Sequence, residues 1–200
     1  MARGGPRRKT GRAEPEDPDR DLGPDADPES VARTIILTKL TAQARSRAEL
    51  AEALAARAVP DEVATKVLDR FEEVGLVNDA AYAEMWVRSR QRSRGLSRRA
   101  LGQELRRKGV DDELIRDSLD TIDPADEEAA ARDLVARKIR SMSRLDSATQ
   151  LRRLTGMLAR KGYPASLAFR VAREAVDSAG VGEDAAEDMA ATWSDPGLGD

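Results

Sequence analysis

From Arg88 to Lys108 the chain carries Arg88, Arg90, Arg92, Arg94, Arg98, Arg99, Arg106, Arg107 and Lys108 against a single acid, Glu104. A second concentration lies at Arg152, Arg153, Arg160 and Lys161, where no acid occurs between Asp146 and Glu174. Guanidinium and ammonium groups gathered in this way hold anions, through charge-assisted hydrogen bonds and a local positive field. The net charge of the whole chain is −3, so the positive charge is a property of particular segments. Between Arg47 and Glu73 acids outnumber bases. Helix surfaces that need only solubility intersperse both signs; the run at 98–108 has only Glu104 among its cations and that at 152–161 has no acid. Catalytic chemistry has no comparable foothold. Histidine and cysteine are absent, which removes the common general base and the usual zinc, haem and iron–sulfur ligands. No glycine loop of the phosphate-binding type is present, and the acid pairs Glu72-Glu73 and Asp111-Asp112 fall where helix caps and solvated faces account for them. The residues therefore predict a non-enzymatic binder that needs no cofactor and no metal.

The elements that position these cations read as helices throughout. Apolar residues make up 40 % of the 200 positions and aromatics only 3 %, so the core must be built of Leu, Val, Ile and Ala. Period-two runs of β-branched residues hardly occur; Thr34-Ile35-Ile36-Leu37 is the nearest, and it sits inside a helical pattern. Asn78-Asp79 marks a helix start with Asp79 as the expected N-cap. Tyr82, Met85, Trp86 and Ser89 then fall on one expected core stripe, with the Trp86 ring buried.

Laid on itself with a shift of 51, the chain aligns Ser46-Arg47-Ala48-Glu49-Leu50 with Ser97-Arg98-Arg99-Ala100-Leu101, then Leu54 with Leu105 and Val59 with Val110. A shift of 53 carries Leu101 to Leu154, Leu105 to Leu158, Gly109 to Gly162 and Val110 to Tyr163. Ser46 and Ser97 are expected N-caps, and Gly109 and Gly162 stand where a helix turns left-handed at its end. Pro60-Asp61, Asp111-Asp112 and Pro164-Ala165 open the next helix. The result is three tandem three-helix repeats over 30–76, 77–122 and 123–179. The flanking segments 1–29 and 180–200 are proline-rich or acidic and poor in large apolar groups, which predicts a disordered N-terminal tail and an acidic C-terminal tail with Trp193 as its one large ring. Lys108 and Lys161 close the second helices, where a cation also complements the helix dipole. No apolar run approaches membrane-spanning length and no signal-peptide core opens the chain, so a cytoplasmic protein is expected.

Gly75–Arg90, GLVNDAAYAEMWVRSR, followed by Leu101-x3-Leu105-Arg-Arg-Lys-Gly109, resembles the RecX family of recombination regulators, actinobacterial members especially. The signature Leu-x-[Asp/Asn]-Asp-x-x-[Tyr/Phe]-Ala is carried by Leu76, Asn78, Asp79, Tyr82 and Ala83, and the likeness extends over 31–177. Ala58 departs from it, standing where a family repeat usually has glycine. The resemblance implies a curved, elongated array of three-helix repeats, acting as a monomer, that lies in the groove of the RecA filament on single-stranded DNA. There it would repress the recombinase and ATPase activities of RecA, modulating recombination, DNA repair and the SOS response. Arg88, Arg92, Arg98, Arg99, Arg106, Arg107, Lys108, Arg152, Arg153, Arg160 and Lys161 are the expected contacts to RecA or DNA. A helical DNA-binding protein that acts on DNA without RecA is the alternative.

Overall fold

The computed structural model describes residues 27–193, with side-chain surroundings for 27–180. The expected disordered tail falls almost wholly outside the described residues. Among them every regular element is helical: α1 Pro28–Ala42, α2 Arg47–Ala55, α3 Asp61–Glu73, α4 Asp79–Arg94, α5 Arg98–Arg107, α6 Asp112–Asp120, α7 Pro124–Ile139, α8 Ser147–Arg160 and α9 Ala165–Trp193, with one 3₁₀ turn at Arg140–Met142. The all-α expectation is borne out. The described residues divide into two compact units, one holding 27–45 and Glu49–Val77, the other holding Ser46–Ala48 and 78–193.

In the first unit α1, α2 and α3 enclose Ala32, Ile36, Leu50, Leu54, Val67, Leu68 and Phe71. The second unit has two cores. Tyr82, Ala83, Val87, Leu101, Leu105, Val110 and Ile115 fill that of α4–α6, and Ala131, Val135, Leu154, Leu158, Tyr163, Val171 and Val176 fill that of α7–α9. The aligned leucines are thus buried positions. Leu54, Leu105 and Leu158 are each 0 % exposed.

Each second helix ends in the same hydrogen-bonded turn. Val59 N, Val110 N and Tyr163 N each donate at 3.2 Å to the carbonyl of the buried leucine five residues back, Leu54, Leu105 and Leu158. The residue between them is left-handed in all three: Gly109 at φ 71°, Gly162 at φ 89° and Ala58 at φ 55°. This is the Schellman geometry, in which the sixth residue returns to the first and an apolar contact closes the loop. Ala58 therefore keeps the conformation of its glycine counterparts despite its Cβ, which costs about 1–2 kcal/mol. Glycine would relieve that strain but raise the entropy of the unfolded chain by roughly 0.4–1 kcal/mol. The net expectation for Ala58→Gly is a gain of about 0.5–1 kcal/mol, read as a raised urea midpoint; a lowered midpoint would show that Ala58 is held there without strain.

Several local expectations change. Asn78 is the N-cap of α4, its side chain accepting from Ala81 N at 2.9 Å. Asp79, one residue inside, instead accepts from Arg47 N at 2.8 Å. Pro60 is the N-cap residue of α3, just ahead of its first turn. The third repeat lacks a serine equivalent to Ser97, because α8 starts a turn earlier at Ser147, capped by Asp146 accepting from Thr149 N. The equivalent position, Gln150, is 7 % exposed. Its amide donates to Met142 O at 3.1 Å and Leu145 O at 2.9 Å, pinning the turn between α7 and α8. The boundary expected at 180 falls inside α9, which continues to Trp193. No helix among the described residues is long and apolar enough to cross a membrane.

Candidate anion-binding face of the second helices

The N-terminal half of α4 carries its buried residues as Tyr82, Ala83 and Val87, because α5 and α6 pack against the face between them. Met85, expected inside, is 41 % exposed, and Ser89 is exposed too. Trp86, expected in the core, is only half-buried. Its ring lies beside Tyr82 with centroids 5.8 Å apart. Its indole N–H donates to Glu104 Oε2 at 2.9 Å. The Arg90 guanidinium sits over the ring at 4.1 Å from its centroid and Lys108 Nζ at 4.3 Å. An indole can serve both roles, as an apolar body with a polar edge and a face that attracts cations. Trp86→Ala is accordingly expected to cost about 2 kcal/mol, below the roughly 3–5 kcal/mol of emptying a sealed aromatic site. A loss above about 4 kcal/mol in denaturant melts would place the ring in the core after all.

The structure sorts the predicted cations into two groups. In the first, the charge is engaged within the fold. Arg98 donates to Asp120 Oδ1 at 2.7 Å and to Ile122 O at 3.4 Å, tying the start of α5 to the end of α6. Arg106 pairs with Asp112 at 2.7 Å and Arg88 with Glu84 at 2.9 Å. Lys108 lies over Trp86, and Lys161 donates to Arg94 O at the C-terminal end of α4. Burial, then the neighbouring Arg137 and Arg94 charges, hold the Lys161 ammonium below its ordinary pKa. In the second group, Arg92, Arg99, Arg107, Arg152, Arg153 and Arg160 are exposed. None of these six has an acidic partner among the described residues.

Within the second group the repeat is visible again. Arg99 and Arg107 lie on α5 with Gln103 between them, at i, i+4 and i+8, along one ridge of the helix. Arg152, Gly156 and Arg160 occupy the equivalent ridge of α8. The corresponding positions of the first repeat are Ala48 and Glu52 on α2 and Ala56 just past its end, so the basic ridge exists only in the second and third repeats. Arg160 lies back along α8, close enough that a Cβ on Gly156 would stand 3.4 Å from its guanidinium nitrogen.

The ends of these helices are fixed by the neighbouring repeat. Ser97 N donates to Lys161 O at 3.0 Å, and Arg98 N donates to Glu127 Oε1 at 2.8 Å. The C-terminal carbonyls of α8 thus meet the N-terminal amides of α5, opposite ends of two helix dipoles. Tyr163 adds its hydroxyl, donating to Gly95 O at 3.2 Å. In the same unit Ser46 Oγ donates to Lys108 O at 2.6 Å. The arginine ridges therefore stand on helices joined where the end of α8 meets the start of α5, through one main-chain bond and several side-chain bonds.

Cations outside the predicted set join them. Arg137, Lys138, Arg140 and Arg144 lie at the end of α7 and in the turn leading to α8, all exposed. Their signal in the sequence was the same scarcity of acids that marks α8, since Asp146 is the only acid between Arg137 and Arg173. That carboxylate caps α8, and its hydrogen bonds to Thr149 hold its pKa below the ordinary value. The described residues bring together no group of acids that could hold a metal ion.

Three tandem three-helix units, two of them presenting exposed arginine ridges on their second helices, define a helical-repeat protein. The chain belongs to the RecX family of regulatory proteins. Residues 32–71 match the first three-helix domain of RecX, 78–119 the second and 126–172 the third. The chain is 54 % identical over 157 residues to the regulatory protein RecX of Streptomyces coelicolor, covering 78 % of this chain and 84 % of that protein. It is 51 % identical over 150 residues to the regulatory protein RecX of Thermobifida fusca, covering 75 % and 81 %. The fold matches the crystal structure of RecX from Lactobacillus salivarius with a TM-score of 0.66 at 20 % identity, over 74 % of this chain and 97 % of that one.

Proposed function

We propose that this chain binds the RecA filament on single-stranded DNA and represses its recombinase and ATPase activities without catalysing a reaction of its own. The reading rests on membership of a family of regulatory proteins together with one structural observation: Arg99 and Arg107 on α5, and Arg152 and Arg160 on α8, are exposed at equivalent positions with no acid beside them among the described residues. A filament surface made of protein and nucleic acid offers both carboxylates and phosphates to such groups. Action in the cytoplasm as a monomer, in recombination, DNA repair and the SOS response, belongs to the same proposal. The second reading, a DNA-binding protein that acts without RecA, is favoured by the guanidinium groups alone, because clustered arginines bind phosphates whether or not another protein is present.

Titrating the chain into an ATPase assay of RecA on single-stranded DNA tests the first reading. Repression at substoichiometric or near-stoichiometric amounts is expected, with affinity for the filament well above that for the same DNA alone at physiological salt. Equal affinity for both, with the same salt dependence, would leave only the second reading.

A further inference from the structure

The second and third repeats carry nine arginines each but differ in which of those charges are paired. In the second repeat Arg88 is paired with Glu84, Arg98 with Asp120 and Arg106 with Asp112 at 2.7–2.9 Å, while Arg90 and Arg94 share Glu104 at 3.5 and 3.8 Å. A carboxylate within about 4 Å contributes little stability at an exposed site, yet it cancels most of the potential that the cation projects beyond a Debye length. Around the α7–α8 turn no arginine has an ion pair within 4 Å among the described residues, although the Asp146 and Arg152 charges lie close enough to interact. Arg137, Arg140, Arg144, Arg152, Arg153 and Arg160 are exposed without an ion-paired acid among the described residues, and the acid in the turn itself, Asp146, accepts from Thr149 N at the start of α8. The two hydrogen bonds that the Gln150 amide donates, to Met142 O and Leu145 O, tie this turn to α8.

We infer that the α7–α8 corner of the third repeat is the surface that meets the phosphates of single-stranded nucleic acid, whereas the paired second-repeat arginines Arg88, Arg94, Arg98 and Arg106 are neutralised within the fold and take little part in that contact. The inference deepens the function proposed above and rests on it for its biological setting. A polyphosphate backbone suits this corner better than an acidic protein surface does. Its charges recur at every nucleotide with no cation between them, matching a run of arginines with no free acid between them, and a guanidinium takes a phosphate through two parallel N–H bonds. Protein surfaces mix both signs.

The test compares two triple variants of the full chain for binding a fluorescent single-stranded oligonucleotide across a salt series, with no RecA present. R144Q/R152Q/R153Q removes corner cations; R88Q/R94Q/R106Q removes the same number of paired cations from the second repeat. Each phosphate left without its cation lowers the steepness of log K against log salt by about 0.7. The corner variant is expected to lose about 2 in slope and to bind at least about tenfold more weakly in roughly 0.1 M salt, and the second-repeat variant to change its slope by less than about 0.7. Helical circular dichroism unchanged in both keeps the comparison clean. An equal or larger decrease in the second-repeat variant would overturn the inference, as would competition by poly-glutamate as effective as by unlabelled oligonucleotide. Because this measurement contains no RecA, it decides the corner assignment alone, and the ATPase titration decides the filament reading alone.

Discussion

Gly162→Ala is expected to destabilise the second unit by about 3 kcal/mol. At φ 89° the backbone of Gly162 is left-handed, a region that costs a residue with a Cβ about 1–2 kcal/mol. Part of that is offset, because alanine lowers the entropy of the unfolded chain by roughly 0.4–1 kcal/mol. The larger contribution is steric. An added Cβ would stand 2.5 Å from Ser97 Oγ, 2.7 Å from Ala100 Cβ and 3.0 Å from Ala100 N. Two of these three atoms are main chain or a methyl fixed to it, so they cannot swing away, and overpacking of this kind costs about 1–3 kcal/mol. The strain would pull the end of α8 from the start of α5 and lengthen the Ser97 N to Lys161 O bond, 3.0 Å in the native fold. Gly75→Ala is the internal comparison. Gly75 is also left-handed, at φ 73°, but a Cβ there meets nothing within 4 Å, so its cost should stay near about 0.5–1 kcal/mol, the backbone contribution alone. Urea melts of both variants give the difference; equal losses would mean that the α8–α5 junction yields freely and that Gly162 is required only for its backbone angle.

Leu158→Ala should cost about 3–4 kcal/mol, within the usual range of roughly 2–5 kcal/mol for truncating a sealed leucine. The side chain is 0 % exposed and stands in the core with Leu154, Tyr163, Ala168 and Val171. Its carbonyl also receives the 3.2 Å bond from Tyr163 N that closes α8, so the cavity would open directly beneath the turn that seats Tyr163. Collapse is limited because Tyr163 is anchored at its far end by the hydroxyl bond to Gly95 O. For contrast, Leu37 is 48 % exposed, and Leu37→Ala is expected to change stability by less than about 0.5 kcal/mol. A Leu158→Ala loss below about 1.5 kcal/mol in the same melts would show that the third core relaxes around the gap.

Much of this architecture is legible in the order of residues. The repeat aligns leucines that are all sealed from water, because a position that points inward in one three-helix unit points inward in the next, and only apolar groups of similar volume satisfy it. The helix ends at Lys108 and Lys161 were legible for the same local reason: a glycine placed before an apolar residue favours the left-handed turn wherever the chain goes afterwards. Ala58 shows the limit of that signal. Its residue type argues against left-handed geometry, and the turn forms nevertheless because Val59 and Leu54 bury together beneath it.

Local sequence determined the helices, the leucine core and the segments in which positive charge is concentrated, since each depends on neighbours within a turn or two, whereas the first-turn amides Arg47 N and Arg98 N find Asp79 and Glu127 only through the tertiary fold. Tertiary structure alone decided which cations remain available. Arg98 and Arg99 are adjacent in the chain and equal in chemistry, yet Arg98 reaches Asp120 and Ile122 across 22 and 24 residues while Arg99 is exposed without an acidic partner among the described residues. Trp86 likewise has the sequence of a core ring, and its actual surroundings are set by Glu104 and Lys108, which α5 brings to it across the fold. Ion pairing depends on distances of a few ångströms between groups far apart in the chain, and such distances are fixed only when the helices pack.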